Sequence, residues 1–314
     1  MPMAKSFVWL FGLEGSGEDS IEIENLKIRR LDKEERTRIL SASNDFFARD
    51  LTIWNNCLNN FPYVFERTLD SEAAPIGGVN FICIFLSLLD FGEVRGPIQW
   101  SKKNGSGGSA SSSSVVELFY RLINGGFQTI SLDRIYKSVE IGLSKVSQIA
   151  RNNKYEHLID PALVDRLYAT KRHPVRLNLE IDQKLNVIAR ATDISQALEY
   201  LLNEGANSEI QFRLSMSLAW LLGRDADERA TMLRTVKTNY SHRSKRVHGV
   251  RLTQKSMKKV LAKECADFDL LFRRALLSKI VSKMEDKEWL EHTIALRLGE
   301  PIGGFDRIDW VYNH

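Results

Sequence analysis

Residues 225–249 read DADERATMLRTVKTNYSHRSKRVHG, and this stretch decides how the second half of the chain is built. Asp225 followed by Glu228 is the pattern of a capping box, in which two side chains satisfy N–H groups that a helix leaves unpaired at its start. Met232, Val236 and Tyr240 then recur at one-turn spacing, so an amphipathic helix is expected to begin near Ala226. At about 100° per residue, Tyr240, Arg243, Ser244 and His248 fall within roughly 140° of arc, with Lys237 inside it and His242 on the far side. An arginine, a hydroxyl and an imidazole therefore face one space.

The charge around that arc is one-sided. Between Ala230 and Lys263 there is no acidic residue, whereas Arg234, Lys237, Arg243, Lys245, Arg246, Arg251, Lys255, Lys258, Lys259 and Lys263 are basic. A polyanion is drawn to such a surface, and Lys237, Lys245, Arg246 and Arg251 are the candidate contacts to it. A solvated helix face that happens to lack acids produces the same pattern. The net charge of +4 over 314 residues does not by itself point to nucleic acid.

Flanking segments predict more helices. Glu209–Gly223 places Ile210, Leu214, Leu218 and Leu221 or Leu222 on one stripe, with Ser208 as the expected N-cap, Gly223 as the stop and Trp220 in the core. After Pro174, Leu177, Ile181, Leu185 and Ile188 open a helix that Asp193–Leu202 continues or restarts. Thr253 caps a helix to about Met284, carrying Met257, Leu261, Cys265, Phe268, Phe272, Leu276 and Ile280 at three- or four-residue spacing. Asp267 and Asp269 are expected on its solvated outer face. With a last helix over Asp286–Leu298, the series makes an antiparallel bundle over 174–314.

Residues 1–173 read differently. Strands are expected over 7–13 and 21–31, with Gly12, Gly15 and Gly17 in a hairpin loop between them, because no GK[ST] follows to make a phosphate loop. Asp32 opens a capped helix, and the apolar run Asn80–Leu89 fits helix or strand equally. The tract 102–114, KKNGSGGSASSSS, has the composition of a flexible loop and reads as an insertion within the first domain. Ile135, Val139, Leu143 and Val146 then mark a helix. The fold class is thus α+β, mostly α: an N-terminal mixed strand and helix domain, then a C-terminal helical bundle.

Tyr240-x-x-Arg243-Ser244-x-x-x-His248-Gly249, preceded by Asp193, Ala197-Leu198-Glu199 and the helix before Gly223, resembles the Apea-like HEPN domain of prokaryotic defence proteins over roughly residues 176–300. Fainter resemblance extends through Ile28–Leu31 and Phe81–Gly92. The arginine-to-histidine spacing recurs at Arg151 and His157 without the serine and glycine, where a polar helix end explains it better. The resemblance implies a metal-independent endoribonuclease, a toxin or effector of antiphage defence and abortive infection, with no cofactor. Its substrate is RNA, with tRNA a family-level candidate, and a further defence-system component is a candidate partner.

The residue types suit that chemistry. The RNA 2′-hydroxyl can attack the adjacent phosphorus and expel the 5′-oxygen, a reaction that needs proton transfer and cationic donors but no metal. His248 would transfer protons, Arg243 would clamp the phosphoryl oxygens, and Ser244 and Tyr240 would position them. One imidazole serves a reaction that needs an acid and a base, and HEPN ribonucleases pair two motifs across a helical interface, so a homodimer is expected. The alternative is a non-catalytic HEPN module that binds nucleotide or RNA or docks a partner.

Other chemistry lacks its signature. The six histidines show no HExxH spacing, Cys57, Cys83 and Cys265 are isolated, and there is no GxSxG elbow, so neither a metal site nor a serine hydrolase is expected. Isolated cysteines suit a reducing cytoplasm. Neither Phe7–Leu13, which lacks a cleavage pattern, nor Phe81–Leu89 is long enough to span a membrane, so no membrane partner is expected.

Overall fold

The computed structural model describes residues 4–17, 20–23, 26–44, 51–69, 77–89, 94–96, 99–102, 129–150, 180–203, 209–247, 262–282 and 284–298. These residues are mostly helical with a small antiparallel sheet, an α+β fold, and the chain falls into two compact units, Met1–Glu156 with Asp309–His314 and His157–Ile308. The boundary expected at 173/174 lies outside the described residues, as do Arg151, His157 and the tract 102–114 beyond Lys102.

In the first unit, strands β1 (Ala4–Trp9), β2 (Leu13–Glu14), β3 (Ile21–Ile23) and β4 (Leu26–Arg30) precede helices α1 (Lys33–Asn44) and α2 (Leu51–Asn60). Strand β5 (Tyr63–Leu69), helix α3 (Gly77–Leu89), strands β6 (Gln99–Lys102) and β7 (Ile130–Ser131) and helix α4 (Leu132–Ala150) follow. The sheet order is β3-β4-β5-β1-β6, every pair antiparallel.

Two expectations are corrected here. The stretch 21–31 is a pair of strands, with Ile21 opposite Ile28 and Ile23 opposite Leu26, because alternation alone cannot distinguish one long strand from two that fold back on each other. The glycine segment is not a hairpin loop either. β1 pairs with β5 and β6, while β2 leaves the sheet and pairs in parallel with β7. Gly12, at φ 93°, makes the turn that only glycine takes without strain.

From Phe7 to Phe11 the chain is buried on both faces, and one of them builds a hydrophobic core. Phe7, Trp9 and Phe11 pack with Leu31, Ile39, Trp54, Cys57, Leu58 and Phe61, most of them on or beside α1 and α2. Trp9 also donates its indole N–H to the Phe61 carbonyl at 2.8 Å. Asp32 and Glu35 form a reciprocal capping box at 2.8 and 3.0 Å, so α1 starts as expected. Helix α4 buries Ile135, Val139 and Leu143 as its spacing predicts, whereas the Val146 side chain lies outside the description.

The second unit consists of α5 (Glu180–Leu202), α6 (Ile210–Leu222), α7 (Ala226–Val247), α8 (Ala262–Ser282) and α9 (Asp286–Arg297). Helix α7 packs against α5, α6 and α8. Of the expected stripes, Ile188 on α5, Leu214, Leu218, Leu221 and Leu222 on α6, Met232, Val236 and Tyr240 on α7, and Cys265, Phe268, Phe272, Leu276 and Ile280 on α8 are buried, Ile210 is half-buried, and the side chains of Leu177, Ile181, Leu185, Met257 and Leu261 lie outside the description. The Trp289 indole N–H of α9 donates to the Leu201 carbonyl at 2.9 Å and ties α9 to α5.

Three further readings are corrected. Ser208 lies outside the described residues, and α6 starts from Glu209 in the left-handed region at φ 57° with no side-chain cap. Trp220 is half-buried, with the Arg229 guanidinium 4.1 Å from its ring centroid, so its face is covered by a cation rather than by core. Asp269 is fully buried, in contrast to exposed Asp267, because Arg190 at 2.7 Å and Arg273 at 3.0 Å both donate to it. A carboxylate out of water needs such partners.

Candidate functional site

Helix α7 starts as its sequence predicts, with one difference in the cap. The Asp225 carboxylate accepts the Glu228 N–H at 2.9 Å, but the Glu228 carboxylate accepts from the Arg224 N–H at 2.8 Å and from the Arg224 guanidinium. Hydrogen bonds from Arg224 accordingly lower the Glu228 pKa to about 2. Acids thus sit at the positive end of the helix dipole and the basic residues towards its negative end.

The far half of α7 carries the arc. Tyr240 and Arg243, three residues apart, lie on neighbouring positions of one helix face, so a single acceptor can reach both. That acceptor is Glu199 of α5. The Tyr240 hydroxyl donates to Glu199 Oε1 at 2.9 Å, and Arg243 Nη2 lies 3.2 Å from Oε2 and 3.1 Å from Oε1. The guanidinium is 5.2 Å from the Tyr240 ring centroid. Arg243 and Glu199 keep side-chain exposures of 18% and 20%, so solvent reaches the pair. Arg243 Nε is buried and makes no hydrogen bond among the described residues.

Burial, reinforced by the Glu199 hydrogen bond, pushes the Tyr240 phenol up to about 12. At neutral pH it is a hydrogen-bond donor and cannot serve as a base. Ser244 is half-buried and Lys237 exposed, while His242 is buried, apart from the arc as expected. Lys245 and Arg246 belong to α7, but their side chains, like all of His248, Gly249 and Arg251, lie outside the description. The described structure therefore brings together Tyr240 and Arg243 of the expected set and adds Glu199.

Glu199 carries no role in the sequence reading. It stands in the Ala197-Leu198-Glu199 segment of the resemblance, 41 residues before Tyr240, and no local spacing joins the two. Only the packing of α5 on α7 does.

The polar groups of the glycine segment in the first unit are used internally. The Gly15 and Gly17 carbonyls accept from the Arg30 guanidinium at 2.9 and 2.7 Å, and the Ser16 N–H donates to Asp133 at 2.9 Å. A loop whose carbonyls face a cation is not a phosphate cradle. Among the described residues no three His, Cys, Asp or Glu side chains converge as a metal ion requires, and no helix is long and apolar enough to cross a membrane. Comparison with family models, curated proteins and solved structures returns no match.

Proposed function

We propose that the helical unit is a metal-independent endoribonuclease of the HEPN type, acting as a homodimer and serving as a toxin or effector in antiphage defence. The observation that carries this reading is Arg243. Its guanidinium is held beside the Tyr240 phenol and is partly exposed, on a helix that also carries the exposed Arg234 and Lys237. Such a fork matches the phosphoryl oxygens on which charge develops, Ser244 can orient them, and Tyr240, whose hydroxyl is given to Glu199, positions Arg243 from beneath. His248 supplies the proton transfers, paired in the dimer with its counterpart so that one imidazole acts as base and the other as acid. The first unit, which brings no such constellation among its described residues, acts in sensing, substrate selection or restraint.

The test is RNA incubated with the purified chain in EDTA. Fragments ending in cyclic phosphate are expected, and His248→Ala or Arg243→Ala should abolish them. Cleavage persisting in both variants would remove the site from consideration. The Glu199–Arg243 ion pair favours a second reading, a non-catalytic module that binds nucleotide or RNA or docks a partner effector, because a neutralised arginine also suits a strut between helices. Binding without turnover identifies it.

A further inference from the structure

Glu199 occupies the position from which an anion would approach Arg243. Glu199 engages Arg243 through Nη2 alone, and each two-nitrogen edge by which a guanidinium grips two oxygens of a phosphate includes that nitrogen, so a bidentate phosphate has to displace the carboxylate from it. We propose that Glu199 is a built-in competitor for the phosphate seat at Arg243: an anionic ligand binds by taking the guanidinium over from the carboxylate. The proposal rests on the reading of Arg243 as a phosphate ligand and adds the regulation of that site.

The geometry makes the exchange inexpensive. Both partners of the ion pair keep about one-fifth of their side-chain surface exposed, so an incoming anion can reach Arg243 without the helices parting. On losing Arg243, the carboxylate keeps the Tyr240 hydroxyl at 2.9 Å and is not left without a donor. Arg243, for its part, keeps the Tyr240 ring beneath it at 5.2 Å, which preserves its aim. Tyr240 thus supports both partners, before and after the exchange. A weak anion leaves the pair closed, and one whose oxygens grip two nitrogens of Arg243 opens it.

The test uses the full chain and two probes, a fluorescent 2′-O-methyl oligouridine, which has no free 2′-hydroxyl and so cannot be cut by this route, and inorganic phosphate as its competitor. Glu199→Gln keeps the size and an acceptor for Tyr240 but removes the competing charge. It should tighten both probes by at least about twofold, because the charge it removes belongs to a pair with only about one-fifth of each side chain exposed. Arg243→Ala should weaken them, and Glu199→Gln added to Arg243→Ala should then change nothing further. Tyr240→Phe, which strips the released carboxylate of its donor, should weaken binding about twofold. Unchanged or weaker binding in Glu199→Gln with the melting temperature preserved overturns the proposal, as does equal tightening in the Arg243→Ala background. If Glu199→Gln does not fold, Tyr240→Phe decides, and unchanged or tighter binding there overturns it. Absence of ribonuclease activity touches none of these outcomes, whereas indifference of both probes to Arg243→Ala overturns the proposal and the phosphate reading together.

Discussion

Burial and the Glu199 carboxylate lift the Tyr240 phenol from its ordinary 10 to about 12, and this has a measurable sign. Between those values the unfolded chain loses the proton and the folded chain keeps it, so folding stability is fully present below pH 10 and falls as pH rises through about 12. An NMR titration of ring-labelled tyrosine should show the Tyr240 resonance, assigned by its loss in Tyr240→Phe, still protonated at pH 11, and Glu199→Gln should move it towards 10. Arg29 raises the parallel question in the first unit. It donates to both Glu35 oxygens at 2.8 and 2.7 Å and to Glu66 at 2.6 Å, with Lys5 on the other Glu66 oxygen at 2.6 Å. Lysine has no fork to span two carboxylates, so Arg29→Lys should cost about 1–3 kcal/mol in chemical denaturation. Burial raises the Glu66 carboxyl, but Lys5 and Arg29 outweigh it and hold it below the usual range. Its contribution to stability is therefore lost as pH falls through that lowered value.

Helix ends and close contacts carry the next consequences. The Asp225 carboxylate caps the Glu228 N–H of α7, and Asp225→Ala should cost about 1 kcal/mol, read as a lower denaturation midpoint. Gly142, inside α4, makes a stronger case. In an open helix, glycine to alanine gains close to 1 kcal/mol, but a Cβ at 142 would lie 1.9 Å from Cζ of Phe85, a ring buried to 1% exposure on α3. Gly142→Ala should thus destabilise by about 1–3 kcal/mol, and pairing it with Phe85→Leu should recover part of the loss. The same contact explains why α3 resisted reading. Residues 82–89 are buried on every side, so the run has no polar face to set a period, and only its packing declares it a helix. In contrast, α1, α4, α6 and α7 each have one wet face, and their spacing predicts them.

At the scale of the whole molecule, the division between Glu156 and His157 separates units with their own cores. A fragment from His157 to Ile308 should therefore fold alone, giving a helical circular-dichroism spectrum and a single cooperative melt. If the first unit restrains the second, the fragment should cut unstructured RNA at least as fast as the full chain, measured as initial rates on one substrate. A folded fragment without activity would place essential groups in the first unit. What the sequence determined by itself is what periodicity and caps encode: the helices of the second unit, the Asp32 and Asp225 starts, and the arc that sets Tyr240 and Arg243 on one face of α7. These follow from interactions within a few residues, whose geometry the helix repeat dictates. Tertiary structure alone decided that Glu199 holds both groups, that Asp269 is buried between Arg190 and Arg273, and that β1 lies between β5 and β6. Each joins residues on different elements, where the partner is chosen by packing and by the cost of leaving a buried charge unpaired, and no local spacing records that choice.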